Sequence, residues 1–538
     1  MNSAATASSS STPRRVAAIG CAALILLFGV LSYSAVRNKS ATYDEPLHLL
    51  SAWLQLHLSE FRLDFENPPL SKYFASLPNG ADAILFNPAD PNFKAVSSDL
   101  YKEWDVTRDT LYFTPINDSV SLLNRARFMM TILAMGLGVM LTIWAWQLGG
   151  PIAAIIACTL FAFDPNLLGH GSLMKNDVPF SLMMIAIFCT CMHVGRRLTW
   201  GNGLLLCGLI GLAMSTKFSA LLLGPMLILL LAIRVFVIGS WSVLGRELSR
   251  ISSRLLAAGI LMLAIGISSW ALIWTCYQFH FGPSRDPSVV LSTAALRHEY
   301  AYYRFRAATP HPRPAPFDPA APLADLSASL EQHLAELDAS INQAADALVH
   351  AKDLNDEVRQ QIQASIDEGR IGRRELASEQ IAPATQPSSR PSDQRIALFL
   401  ANVRAQDLEY QMRFAQYWAA LPNSGANWVV AGILFCIDHH VLPAAFLHGV
   451  LAQYAHSLAL DTFLLGHLRD VGTWYYFLFA MLVKTPVATE LALLGAIGVG
   501  VYLLKRHWPE RPRFVWPAAC IVVPVGVHLA SAMTAGIN

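Results

Sequence analysis

Apolar runs of about 20 residues recur along the chain at 16–36, 128–148, 151–167, 178–195, 202–216, 218–238, 255–277, 486–504 and 514–534. A helix needs roughly that length to cross the hydrocarbon of a bilayer. The pattern therefore predicts nine membrane spans. The moderately apolar stretch 427–447, "NWVVAGILFCIDHHVLPAAFL", is expected to be an interfacial or re-entrant segment rather than a tenth span. Counting it as a span would move the basic cluster at 505–513 away from the side that the other clusters share.

Two long segments between spans carry other patterns. Residues 37–125 are polar and aromatic, and are expected to form short helices lying on the membrane. The second segment, about 278–485, begins with the Pro-rich "ATPHPRPAPFDPAAP". From Leu323 to about Ala377 its apolar residues then recur at helical spacing (Leu323, Leu326, Leu330, Leu334, Leu337, Ile341, Leu348), which predicts a helical hairpin or short coiled coil. The polar linker "IAPATQPSSRPSDQ" is expected to close it. The implied domains are a tail at 1–15, a transmembrane module at 16–280, a Pro-rich and helical insertion at 281–425, and late membrane segments at 426–538.

Composition agrees with the pattern. Of 538 residues, 54% are hydrophobic and only 14% charged, and the mean hydropathy is +0.39. That is too apolar for an ordinary soluble enzyme of this size. The fold class expected is an all-α polytopic membrane protein. A net charge of +1 gives no electrostatic case for nucleic acid. The eight cysteines lie almost wholly inside apolar runs and lack zinc-ligand spacing. His439, His440, His448, His456 and His467 cluster in sequence, but mostly eight or more residues apart, so they make no local chelate.

Charge gives an orientation. The first run follows Arg14 and Arg15 and ends in "SYSAV", a poor cleavage site, so it reads as an uncleaved helix with a cytoplasmic N-terminus. Alternation from there puts Arg196 and Arg197, then Arg234, Arg246, Arg250 and Arg254, and finally Lys505, Arg506, Arg511 and Arg513 on the cytoplasmic side, as the positive-inside rule requires. The segments 37–125 and 278–485 then face outward.

The unusual residues fall on that outer face. Asp44 and Glu45 stand just outside the first span, and Asn67-Pro68-Pro69-Leu70-Ser71-Lys72 lies in the same loop. Arg125 and Arg127 enter the second span, Lys175 and Asp177 join the third to the fourth, Lys217 sits between the fifth and sixth, and Lys484 precedes the eighth. Each alone has an ordinary explanation, as a snorkelling anchor or as a charge at a helix N-terminus. Together they suit one reaction, transfer of a sugar from a lipid phosphate. It needs a base for the acceptor hydroxyl and cations for the departing phosphate, all at headgroup depth.

"YDEPLHL", "NPPLSKY", an Arg entering the second span, "FDPNLLGHGSLMKNDVPF" and "LAMSTKFSALLL" together resemble the GT-C membrane glycosyltransferases. The similarity is to the bacterial branch of protein O-mannosyltransferases and lipid A aminoarabinose transferases. It covers roughly 16–280 and resumes near 440–538 with "DVGTWYYFLFAMLVKTP". The resemblance implies a GT-C-like bundle in the bacterial inner membrane, with an extracytoplasmic site and an inverting transfer. The donor would be a polyprenyl-phosphate sugar, and the acceptor a protein or a lipid or glycan hydroxyl. It implies Asp44 as general base with Glu45 beside it, Asp177 as second acidic site, and Lys72, Arg125 or Arg127, and Lys217 as phosphate-binding cations. Paired carboxylates of this kind can also hold a divalent cation, although the O-mannosyltransferase likeness argues against needing one. Two departures stand out: Asn67 occupies a position where many relatives carry His, and the chain stops at "SAMTAGIN", where relatives commonly continue, so a short member or a fragment is expected.

Other classes make different demands. A transporter or flippase of a lipid-linked sugar predicts charges at the bilayer midplane and an internal repeat; the sequence has its charges at one face and no second acidic and Pro-Pro-Leu pattern. A scaffold that recruits partners through the insertion leaves the acidic pair unexplained.

Overall fold

The computed structural model describes residues 11–534 apart from 98, 352–353, 355, 386–390, 422–426, 460, 470–471 and 507–511. Most of the expected tail, the middle of the Pro/Ser linker, Arg511 and the end of the chain lie outside the described residues. The chain divides into two compact units, one of Met1–Leu291, Cys436–Val450 and Tyr475–Thr534, the other mainly of Ser292–Phe435 and Leu451–Trp474.

The first unit contains α1 (Ser11–Val36), α2 (Glu45–Leu58), α3 (Leu70–Ser76), α4 (Pro91–Ala95), α5 (Lys102–Leu111), α6 (Ser119–Ala162), α7 (Pro165–His170), α8 (Asp177–Arg196), α9 (Trp200–Met214), α10 (Leu223–Ala232) and α11 (Ile251–Cys276). Among the described residues six helices are long and apolar enough to span a membrane: Pro13–Val36, Ser119–Ala162, Asp177–Arg196, Phe218–Val237, Ile251–Cys276 and Phe514–Thr534. The pair Tyr476–Lys484 and Val487–Tyr502, bent by 110°, would make a seventh. This is a polytopic helical membrane protein, with fewer such helices than the nine runs expected.

Two local causes explain the difference. The runs at 128–148 and 151–167 belong to one 44-residue element, α6, broken at Gly150. There φ is +74°, a conformation that glycine adopts without a Cβ penalty, and Pro151 then opens the next helical stretch with its φ already set. After the break the chain runs back along α1: the Cys158 thiol donates to Cys21 O at 3.5 Å, Phe161 and Phe28 have ring centroids 4.5 Å apart, and Ser32 Oγ donates to Leu168 O at 2.9 Å. The second cause is length. α9 has 15 residues, about 22 Å at 1.5 Å per residue, short of a hydrocarbon core about 30 Å thick.

The segment 37–125 does form short helices, α2 to α5, and Leu50, Trp53, Leu54, Leu63, Phe93 and Val106 of this segment share an apolar core with Leu123, Ala126 and Met130 of α6. The second unit contains α12 (Thr293–Ala308), α13 (Leu323–His350), α14 (Asp356–Thr385) and α15 (Pro391–Ala420). Here the expected hairpin is extended by a third long helix. Leu337, Ile341 and Leu348 of α13, Ile362 and Ile366 of α14, and Tyr410, Phe414 and Trp418 of α15 share one core. The stretch expected to be a polar linker is helical on both sides, up to Thr385 and from Pro391.

The late elements are α16 (Trp428–Asp438), α17 (Ala444–His456), α18 (Tyr476–Lys484), α19 (Val487–Arg506) and α20 (Pro512–Thr534). α16 and α17 are short helices, so 427–447 contains no helix long enough to span. α20 returns to the first bundle, where Trp516 Nε1 donates to Met192 O at 3.0 Å. The indole lies against Gly195, where any side chain would collide with the ring.

Candidate functional site

At one end of the first bundle the C-terminus of α1, the N-termini of α2, α6 and α8, and the C-termini of α9 and α11 are tied together by the loops between them. Leu70 N donates to Ser215 O at 3.0 Å, and Tyr73 Oη to Cys276 O at 2.8 Å, so α3 is anchored to the ends of two helices. The charged residues singled out in the sequence gather here in distinct environments.

Glu45 is fully buried. Its Oε1 accepts from Arg127 Nε at 2.9 Å and from Met174 N at 3.0 Å, while Oε2 accepts from Arg127 Nη2 at 2.5 Å and from Thr42 N at 2.9 Å. Burial alone would raise this carboxyl, but Arg127 and the two backbone N–H groups hold it below its ordinary value. Arg127 also donates to Val36 O, Lys39 O and Ser40 O at 2.8–3.1 Å. A guanidinium has five N–H groups, and all five of these are engaged. Arg125, two positions earlier on α6 and so on another face, is exposed. Neither arginine lines the pocket described below.

Asp44 behaves differently from its neighbour. Its side chain is 43% exposed and pairs with Lys175 Nζ at 3.2 Å. Lys217 Nζ pairs with Asp177 Oδ1, and both side chains are partly exposed. Each of these two acids is thus paired with a lysine.

A second buried acid, Asp64, is not among the residues the sequence singles out. Its carboxylate is the centre of a polar cluster. Oδ2 receives His48 Nδ1 at 2.7 Å, Ser51 Oγ at 3.0 Å and Lys72 Nζ at 3.1 Å, and Oδ1 receives Asn67 Nδ2 at 2.7 Å. Lys72 Nζ also donates to Asp64 O at 3.0 Å, and Asp64 N donates to Glu103 Oε2 at 2.9 Å. The backbone at Asp64 is left-handed, with φ +52°, a region that Asp tolerates better than most residues.

These contacts shift protonation. For Asp64 burial is the largest effect and would raise the carboxyl, yet Lys72, His48 and Asn67 together hold it well below the ordinary range. Burial lowers the Lys72 ammonium, with Asp64 opposing. Burial, with Asp64 and Glu66 nearby, pushes Glu103 up to about 8.

Against this cluster lies a small pocket lined by His48, Asn67, Ser71, Lys72, Met130, Met174, Lys175 and Asn176. Asn176 Nδ2 donates to Asn67 Oδ1 at 2.7 Å, which joins the α2–α3 loop to the start of α8. Of the expected phosphate-binding cations, Lys72 reaches the pocket, and Lys175 joins it. Asp44 is connected to it through Lys175. A divalent cation would need carboxylates without cations beside them, whereas Asp44, Asp64 and Asp177 each already face a lysine.

His48 and Asp64 left faint marks in the sequence. Asp64 lies between Leu63 and Phe65 in "FRLDFE", an acid in an apolar frame, and such an acid is buried only with partners. His48 follows Asp44 by four residues and so falls on the same helix face.

No protein-family model and no curated protein matches the chain.

Proposed function

We propose that this protein is a membrane glycosyltransferase. It takes a sugar from a polyprenyl-phosphate donor and gives it, with inversion, to a hydroxyl of a protein or of a lipid or glycan. The reaction runs on the extracytoplasmic face of the bacterial inner membrane. The observation that carries the reading is the different fate of two adjacent acids: Glu45 is sealed by Arg127, whereas Asp44 stays half exposed beside a pocket lined by Lys72 and Lys175.

A base must reach solvent and acceptor, and Asp44 does. It takes the proton of the acceptor hydroxyl as that oxygen attacks the anomeric carbon. Lys72 and Lys175 face the donor phosphate, where negative charge builds as the glycosidic bond breaks. Asp177, held by Lys217, orients the acceptor. The site lies at the ends of spanning helices, the depth to which a lipid phosphate is confined.

Labelled polyprenyl-phosphate sugars supplied to membranes that hold the chain test the reading. Label should leave the donor and appear on protein, lipid or glycan. Intact donor after prolonged incubation with folded protein counts against it.

A further inference from the structure

We propose that His48, oriented by Asp64, is the proton donor to the departing lipid phosphate. This rests on the function proposed above and adds a group to the same site.

The cations near the pocket are already balanced. Lys72 pairs with Asp64, Arg127 with Glu45, Lys175 with Asp44 and Lys217 with Asp177. An incoming phosphate thus meets ion pairs that sum to zero. His48 is the imidazole among the pocket-lining side chains, a group that serves as acid or base. Nδ1 is committed to Asp64 Oδ2 at 2.7 Å, which makes Nδ1 the donor of that bond and leaves Nε2 to the pocket that the ring lines. Asp64 is itself fixed by Ser51, Asn67 and Lys72, so the ring has a set orientation. A carboxylate that holds Nδ1–H fixes the ring with Nε2 free to exchange a proton, the arrangement of a His–Asp pair. The other titratable groups on the elements packed about His48 are Glu103 behind Asp64, Asp44 one turn earlier on the chain, Glu45 on the same helix, and Lys175 on the pocket wall.

The step balances. The bond between the anomeric carbon and the phosphate oxygen breaks, and its electron pair stays on that oxygen. The Nε2 proton of His48 passes to the phosphate, giving a hydrogen-phosphate monoester of the lipid and a neutral imidazole. The acceptor hydroxyl forms the new bond to the anomeric carbon and loses its proton to Asp44. Proton return from Asp44 to His48 through solvent restores both groups. Asp64 is a positioning residue in this scheme and does not itself exchange the proton.

The test uses the full chain in detergent and measures binding of polyprenyl phosphate, the product, from about pH 5.5 to pH 8.5, where histidine changes charge. Wild type is compared with His48→Gln and Asp64→Asn, and ¹⁵N-histidine spectra of wild type are recorded with and without ligand. We expect His48→Gln to weaken binding about ten- to hundredfold at the acid end, as loss of one charge-assisted hydrogen bond would. At the alkaline end it should match wild type, and in wild type ligand should shift the His48 Nε2 signal. Asp64→Asn should give an intermediate profile. Equal pH profiles for wild type and His48→Gln, an unmoved histidine signal, or no binding by wild type would each overturn the proposal. Binding with these signatures but without any sugar transfer would leave the phosphate contact standing and remove the glycosyltransferase reading.

Discussion

Arg127 and Glu45 meet through two parallel hydrogen bonds, Nε to Oε1 and Nη2 to Oε2, with neither side chain more than 1% exposed. The pair joins α6 to the start of α2, and Arg127 carries the contact on to the last carbonyl of α1 and two just after it. It is a structural clamp beneath the site. Removing one partner from such a pair leaves an uncompensated buried charge, at a cost of about 3–5 kcal/mol. Arg127→Leu and Glu45→Gln should therefore lower the melting temperature sharply in detergent. Asp44→Asn, at the adjacent but half-exposed position, should leave it nearly unchanged.

Asp64 compensates the buried Lys72 ammonium. Asp64→Ala strips that cation of its carboxylate and puts a residue less tolerant of positive φ at a left-handed position, so it should destabilise by about 3 kcal/mol or more. Asp64→Asn keeps the left-handed preference and part of the hydrogen bonding, and should cost clearly less. Chemical or thermal unfolding of the two variants side by side separates charge from conformation.

Much of the architecture was legible because hydrophobic runs report membrane spans directly. The run at 178–195 shows this, since it forms the spanning helix Asp177–Arg196, whereas the paired runs on either side of Gly150 and Pro151 fall in one broken element. The third helix of the second unit was obscured because α15 begins at Pro391, within a Pro- and Ser-rich stretch that signals a linker. At the site, the residue types pointed to acids and lysines in one place, but sequence has no measure of burial. Arg127 and Arg125 look interchangeable in the string, and only packing shows that one is enclosed and the other exposed. Asp64 was missed for the converse reason. Its partners His48, Ser51, Asn67 and Lys72 come from a helix, a loop and a second helix, and no single spacing announces them.

Glu103 links the site to pH. Its carboxyl lies at about 8 in the folded protein against 4.5 for the free side chain. Between those values the folded state holds a proton that the unfolded state has lost, so stability falls as pH rises. The contribution is complete below pH 4.5 and gone above about 8. Glu103→Gln keeps an acceptor for Asp64 N and removes the titration. Its melting temperature should vary less than wild type from about pH 5 to pH 8.5, with the advantage of the variant growing toward the alkaline end.

Lys72 faces the phosphate in this account, whereas Arg125 is exposed and away from the pocket. Lys72→Met should reduce sugar transfer about 10²- to 10³-fold, the usual effect of removing one preorganised donor to a developing anion. Arg125→Met should reduce it by less than about threefold, within the small effect typical of an exposed charge. Initial rates at saturating donor compare the two.

The most direct measurement is sugar transfer by wild type and Asp44→Asn in the same membranes, with labelled polyprenyl-phosphate donors and matched amounts of folded protein. A base contributes about 10²- to 10⁴-fold, so transfer by wild type should collapse by that factor in the variant while its melting temperature holds. Transfer that proceeds equally well in both would contradict the account, since Asp44 would then not be the group that takes the acceptor proton.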